Sequence, residues 1–278
     1  MMHITDISGC VSLHNRVRMP YLGVGTYKVP DGEEVVRTVS CALQAGYRHI
    51  DTAAFYANEK GVGAALRQSG LKREEVFVTT KIWNPDQGYD TTLAAFGRSL
   101  DELGFDYLDL YLVHWPVKGK FQDTWRALES LYRRGLVRAI GISNFLKHHV
   151  LDLLQTAEIV PMVNQMEFHP YLVQQDLIDF CTGLGIQYQA WSPLMQGRIS
   201  EVELLSQLAR KYGKDPAQIV LRWSLQKGVA TVPKSVTPAR ILSNVRLFDF
   251  ELSTEDVKRI DGLDRGKRFG SDPDHFDF

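Results

Sequence analysis

The sequence predicts an α/β chain closed into a (β/α)8 TIM barrel, with an N-terminal hairpin and two extra helices. Three observations point there. Short apolar runs, the form taken by strands buried on both faces, alternate with helix-length segments. Seven of the runs stop at a polar or ionisable residue: 49–50 at Asp51, 76–80 at Lys81, 107–113 at His114, 137–142 at Ser143 and Asn144, 162–163 at Asn164 and Gln165, 186–191 at Ser192, and 230–233 at Lys234. No Ser-, Gly- or Pro-rich linker divides the chain, so residues 1–278 read as one barrel domain. In a closed parallel barrel the C-terminal strand ends converge on one mouth, where catalytic residues sit. Asp51, Lys81 and His114 are therefore expected to meet despite their separation in sequence.

Each element has its own signal. Residues 11–19 alternate around a polar centre and predict a hairpin able to plug the bottom of the barrel. Strand one spans 22–26. Asp31 opens a helix with the apolar stripe Val35, Val39, Ala42 and Leu43, and Gly46 ends it. Strands at 47–51, 76–81, 107–113, 137–142 and 160–165 each precede a helix, at 58–69, 90–103, 121–135, 146–156 and 172–184. Strand 186–191 follows, and a helix near 200–212 interrupts the rhythm. Asp215-Pro216 starts a helix reaching Lys227, strand 229–233 comes next, and Pro238 starts another helix. Ser253-Thr-Glu-Asp256 resembles a capping box and opens the last one. An open doubly wound sheet is the alternative. Its dinucleotide fingerprint fails here, because Lys28 stands where G-x-G-x-x-G needs its third glycine after Gly23 and Gly25.

A net charge of −1 over 278 residues gives no global attraction to nucleic acid or anionic membrane, so any basic site is local. The three cysteines, Cys10, Cys41 and Cys181, form no C-x-x-C and predict free thiols in a reducing cytoplasm. No apolar run approaches the roughly 18 residues of a spanning helix, and the N-terminus has no secretory pattern. The histidines show no metal-binding spacing, so no metal is expected. His148 and His149 are expected to be solvated on a helix. The chain reads as a cytoplasmic monomer acting on a small molecule.

Several segments now carry a resemblance. Leu22-Gly-Val-Gly-Thr-Tyr27, Gly46-Tyr-Arg-His-Ile-Asp-Thr-Ala-Ala54, Tyr56, Lys81-Ile-Trp83, Asp106-Tyr-Leu-Asp-Leu-Tyr-Leu-Val-His-Trp-Pro116, Gly141-Ile-Ser-Asn-Phe145, Val163-Asn-Gln165 and Val232-Pro-Lys-Ser235 are similar to motifs of the aldo-keto reductase family. They run in family order over essentially the whole chain. Trp191-Ser-Pro-Leu-Met-Gln-Gly197 and Arg268-Phe-Gly-Ser-Asp-Pro-Asp274 resemble the bacterial glyoxal, methylglyoxal and 2,5-diketo-gluconate reductases of that family. The resemblance implies NADPH-dependent reduction of aldehydes and ketones, with NADPH binding first. A keto-sugar-acid reductase and a non-catalytic cofactor-binding relative remain as alternatives.

The residues support that chemistry independently. A carbonyl reduced by hydride needs a proton donor at its oxygen and stabilisation of the charge that develops there. Tyr56 is the candidate acid. Free tyrosine titrates near 10, so Lys81 is expected to lower that value and Asp51 to hold Lys81 charged. His114 is expected to donate a hydrogen bond to the carbonyl oxygen. Taken singly, Asp51 and Lys81 also suit a structural ion pair, and His114 suits a half-buried histidine.

Hydride must come from a carrier, since no side chain supplies it. Trp191 is the candidate nicotinamide platform, with Ser143, Asn144 and Gln165 as carboxamide partners. Gly25, Thr26, Asp51, Ser192 and Leu194 complete that side of the implied cofactor site. Lys234, Ser235, Val236, Thr237 and Arg240 lie after the eighth strand, where barrels often bind phosphate. Two cations and two hydroxyls at a helix start suit an adenosine 2′-phosphate. The family pattern adds Asn244 as adenine partner. Ser243 departs from that pattern, standing where many relatives carry Glu. By resemblance Tyr27, Tyr56, Trp83, His114 and Trp115 wall the substrate pocket, and Tyr27 replaces a frequent Trp. The connection 115–121 and the tail ending at Phe278 are short, which predicts an open, partly solvated pocket.

Overall fold

In the computed structural model, which describes residues 4–278, the predicted rhythm closes into a barrel. The hairpin is β1 (Cys10–Ser12) and β2 (Arg18–Pro20), paired antiparallel. Eight parallel strands follow in sequential order: β3 (Val24–Gly25), β4 (His49–Asp51), β5 (Phe77–Ile82), β6 (Leu108–Val113), β7 (Val137–Ser143), β8 (Val163–Glu167), β9 (Gln187–Trp191) and β10 (Ala230–Thr231). The first and last meet. The Gly23 N–H donates to Thr231 O at 2.9 Å, and the Gly25 N–H to Pro233 O at 3.0 Å. No strand edge is left open between them, which is how a barrel escapes edge pairing.

Every residue of β5 and β6 is buried. Helices cover their outer side and the barrel interior covers the other, so a continuous apolar run is what such a strand needs. Around the sheet lie α1 (Glu33–Gln44), α2 (Glu59–Gln68), α3 (Tyr89–Leu103), α4 (Phe121–Arg133), α5 (Lys147–Leu154), α6 (Gln175–Gly183), α8 (Pro216–Gln226) and α9 (Pro238–Ser243). The two extra helices are α7 (Glu203–Tyr212) and α10 (Thr254–Asp261). The predicted caps form. Gly46 takes φ 97° after α1. Asp215 accepts the Gln218 N–H at 2.9 Å at the start of α8, and Ser253 accepts the Asp256 N–H at 3.1 Å at the start of α10.

The hairpin sits at the N-terminal strand ends. Asn15 Nδ2 donates to Arg138 O at 2.9 Å, and His14 Nε2 lies 3.1 Å from Val160 O. The floor of the barrel is thus closed, and Asp51, Lys81 and His114 lie at the other mouth. Most predicted boundaries shift by a residue or two, and two larger shifts have a local cause. The strand expected at 160–165 is Val163–Glu167, because Pro161 has no N–H to give a ladder. The helix expected at 172–184 begins only at Gln175. Gln174 is held at φ 48° while its side chain donates to Glu167 O at 2.8 Å, which bars a helical turn there.

Candidate active site

Asp51, Lys81 and His114 reach one mouth because each lies in the last two residues of a parallel strand or just beyond it. Lys81 is 1% exposed, and its ammonium has three acceptors: Asp51 Oδ1 at 2.6 Å, Thr52 O at 2.9 Å and Tyr56 Oη at 3.4 Å. An ammonium has three N–H groups, so all are used. Asp51 Oδ2 accepts from Gln165 Nε2 at 2.7 Å, and that amide also donates to Gln189 Oε1 at 2.8 Å. Tyr56 lies in a short 3-10 turn (Ala54–Tyr56) between β4 and α2. Its ring is 5.8 Å from the His114 ring and 5.0 Å from the Tyr27 ring.

The electrostatics correct one expectation. Burial pushes the Tyr56 hydroxyl well above the usual tyrosine value, and the Asp51 charge and Tyr27 add to it. Burial outweighs Lys81 as the site stands, so Tyr56 holds its proton instead of leaning toward tyrosinate. Burial also pulls Lys81 down, opposed by Asp51. Burial first, and then the Lys81 charge, hold His114 well below an ordinary histidine, so its ring is neutral at pH 7. Its Nδ1 is sealed and unpartnered among the described residues. Nε2 is left as the ring nitrogen that can meet a substrate.

The predicted cofactor donors fall into two groups. Ser143, Asn144, Gln165 and Trp191 come together in a network. Ser143 Oγ donates to Gln165 O at 2.9 Å. Asn144 takes φ 65° and its Nδ2 donates to His114 O at 3.0 Å. Trp191 Nε1 donates to Asn144 Oδ1 at 2.9 Å, which orients the indole. Thr26 is fully buried and donates to Asp51 O at 3.1 Å, so its hydroxyl braces the loop after β3, where Gly25 is buried too. Ser192 (φ 53°) and Leu194 are half-buried beyond Trp191. The second group follows β10. Lys234, Thr237 and Arg240 are exposed, Ser235 and Val236 half-buried, and Asn244 buried. The Ser243 hydroxyl donates to Asp215 Oδ2 at 2.5 Å, so it serves the start of α8.

The residues expected to wall a substrate pocket have aromatic neighbours that were not expected. The connection after β6 is short, as expected, and the short tail folds back onto Trp83 and Trp115 while Tyr27, Phe55 and Phe278 stay exposed. Phe278 stacks on Trp83 at 5.6 Å and 7°, and meets Trp115 edge-on at 5.2 Å. Phe276 lies 5.0 Å from Trp115, and Asn84 Nδ2 donates to Phe278 O at 2.9 Å. Phe55, also absent from the expected walls, stacks on Trp83 at 4.0 Å. Two phenylalanines two residues apart at the tail were the available signal.

His148 is exposed, as expected, whereas His149 is largely covered, and both rings meet the tail. His148 Nε2 is 2.8 Å and His149 Nε2 3.3 Å from Asp274 Oδ1. These three groups could surround a cation. However, the Leu146 N–H donates to His149 Nδ1 at 3.2 Å, which puts the neutral ring's proton on Nε2. A protonated Nε2 donates to the carboxylate and has no lone pair for a metal. The cluster therefore clasps the tail to α5.

The aldo/keto reductase family model matches residues 21–265. The chain belongs to the aldo/keto reductase family. It is 56% identical to a glyoxal reductase of Bacillus subtilis (strain 168), over 99% of each chain. It is 45% identical to methylglyoxal reductase DkgA of Salmonella typhimurium, over 93% of this chain and 94% of that one. Among solved structures, a Gox0644 D53A mutant in complex with NADPH superposes with a TM-score of 0.92 at 40% identity, covering 97% of this chain and 98% of that one. As a member of the family the chain is an oxidoreductase on a barrel scaffold. Among the described residues no helix is long and apolar enough to cross a membrane.

Proposed function

We propose that the chain reduces small aldehydes and ketones with NADPH, favouring 2-oxoaldehydes such as methylglyoxal and glyoxal and aromatic aldehydes. The observation that carries this reading is the meeting of Tyr56, His114 and the buried Lys81–Asp51 pair at one mouth. NADPH, held by Trp191, Asn144, Lys234 and Arg240, would supply the hydride for the carbonyl carbon. Tyr56 gives its proton to the carbonyl oxygen as the C–H bond forms, so the product leaves as an alcohol. His114 donates a hydrogen bond to the same oxygen and lowers the cost of the developing charge. Lys81 stabilises the tyrosinate left behind.

The donor set fits the cofactor. Trp191 is half-buried and held by its Nε1, ready to face a flat ring. Lys234 and Arg240 are exposed and, among the described residues, form no ion pair that would compete with a 2′-phosphate. Glyoxal reductase and NADPH-bound relatives at 40% identity or more support both halves of the reading. Three unpaired cysteines accord with a reducing cytoplasm.

The aromatic walls supply substrate preference. Asn84 Nδ2 is occupied by Phe278 O, and Gln87 Nε2 donates to Trp115 O at 2.7 Å. Few polar groups remain for the hydroxyls of an open-chain aldose, whereas planar, electrophilic carbonyls suit a pocket of this kind. A kcat/KM panel with NADPH tests this. Methylglyoxal and activated benzaldehydes should exceed aldoses and keto-sugar acids. A micromolar KM for one sugar acid with little methylglyoxal turnover would overturn it.

A further inference from the structure

Glu167 ends β8 fully buried, and neither proton transfer nor the predicted cofactor contacts use it. Its Oε1 accepts three N–H groups: Phe269 N at 2.7 Å, Gly270 N at 3.0 Å and His169 Nε2 at 3.1 Å. Its Oε2 is sealed with no partner among the described residues. A buried carboxylate is retained only where its environment compensates it, and here two of the three donors are tail backbone. The tail is held for a steric reason. A Cβ on Gly270 would lie 2.3 Å from Trp191 Cη2 and 3.4 Å from Glu167 Oε2, so bare backbone touches the indole edge. Asn144 holds the same indole by its Nε1. Phe269 O also accepts from Gln196 Nε2 at 3.2 Å, and the Arg198 guanidinium lies 4.9 Å from the Phe269 ring centre. Both residues belong to the loop after Trp191, where Ser192, Met195 and Gln196 all have positive φ. Trp191, that loop and the tail thus form one assembly, pinned by one carboxylate.

We propose that Glu167 is a positioning residue for the cofactor platform: by gripping the Phe269 and Gly270 N–H groups it presses the tail against Trp191 and sets the indole plane. It touches neither cofactor nor substrate. The proposal rests on reading Trp191 as the nicotinamide platform. Glu167→Gln keeps the shape but loses the charge that makes these bonds about twice as strong as neutral ones. Gly270→Ala leaves Glu167 intact and puts a methyl into the indole contact.

In the apo protein, Glu167→Gln should speed hydrogen exchange of the Phe269 and Gly270 amides by about tenfold or more. Both variants should shift the Trp191 emission, isolated by difference against Trp191→Phe. Both should raise the Kd for NADPH by about 3- to 10-fold, a loss of order one hydrogen bond, and the double variant should lose less than the product of the two. Faster exchange with unchanged Trp191 emission and unchanged NADPH affinity would make Glu167 a tail anchor only and overturn the proposal, as would multiplicative losses in the double variant. Gly270→Ala, which needs no change in the carboxylate, covers the case in which Glu167→Gln folds poorly. Full NADPH affinity in Trp191→Ala would instead remove the platform reading, independently of the exchange result.

Discussion

Replacing Lys81 by methionine should cost far more stability than losing a surface lysine, and the cost should come from Asp51. Lys81 and Asp51 are 1% and 5% exposed in their side chains and 2.6 Å apart. Methionine fills much of the volume but leaves Asp51 Oδ1 without its cation. Gln165 still holds Oδ2 at 2.7 Å, and that contact cannot neutralise the charge. Stranding one partner of a buried pair costs about 3–5 kcal/mol. The surviving amide bond argues for the lower end, about 3 kcal/mol, which at the unfolding entropy of a 278-residue chain corresponds to roughly 5 °C in Tm. Adding Asp51→Asn removes the stranded charge, so the double variant should regain most of the loss although both proteins lack reductase activity. Urea unfolding of the wild type, both singles and the double closes the cycle. A Lys81→Met protein as stable as the wild type, or a double no more stable than that single, would refute the reasoning.

Tyr56→Phe should lower carbonyl reduction by about 100- to 10,000-fold, the usual contribution of a general acid, while an NADPH titration stays near wild type; rates within a few-fold would remove Tyr56 as donor. Arg240→Ala should weaken NADPH by about 10- to 100-fold, as loss of a charge-assisted bond does, and NADH far less. Equal losses would leave Arg240 a structural role. Burial holds His114 well below the ordinary histidine range, so the folded state refuses a proton that the unfolded chain accepts below about pH 6.5. That penalty is absent above pH 6.5 and grows as pH falls, so His114→Gln should flatten the acid side of the stability curve by up to about 1.4 kcal/mol per pH unit. An unchanged slope in chemical denaturation across that range would count against a buried neutral ring.

The strand ends were readable because a strand buried on both faces has nothing to alternate. Its apolar run lasts until the chain leaves the core, and the first polar residue marks the lip. That is why Asp51, Lys81, His114, Asn144 and Lys234 could be placed at one mouth from sequence, and why caps at Gly46, Asp215 and Ser253 held. These are local matters of periodicity and backbone geometry. What only the tertiary structure decided involves partners far apart in the chain. Phe278 on Trp83, Asp274 against His148 and His149, and Glu167 under Gly270 join residues separated by many elements, and no periodicity encodes such pairings. Gln165 bonded to Asp51, and a Tyr56 hydroxyl pushed up by burial where Lys81 was expected to lower it, have the same origin. Sequence names the groups and their order, but the strength of a charge or hydrogen bond depends on how much water the surrounding chain excludes, and that is set only when the barrel closes and the tail folds back across its mouth.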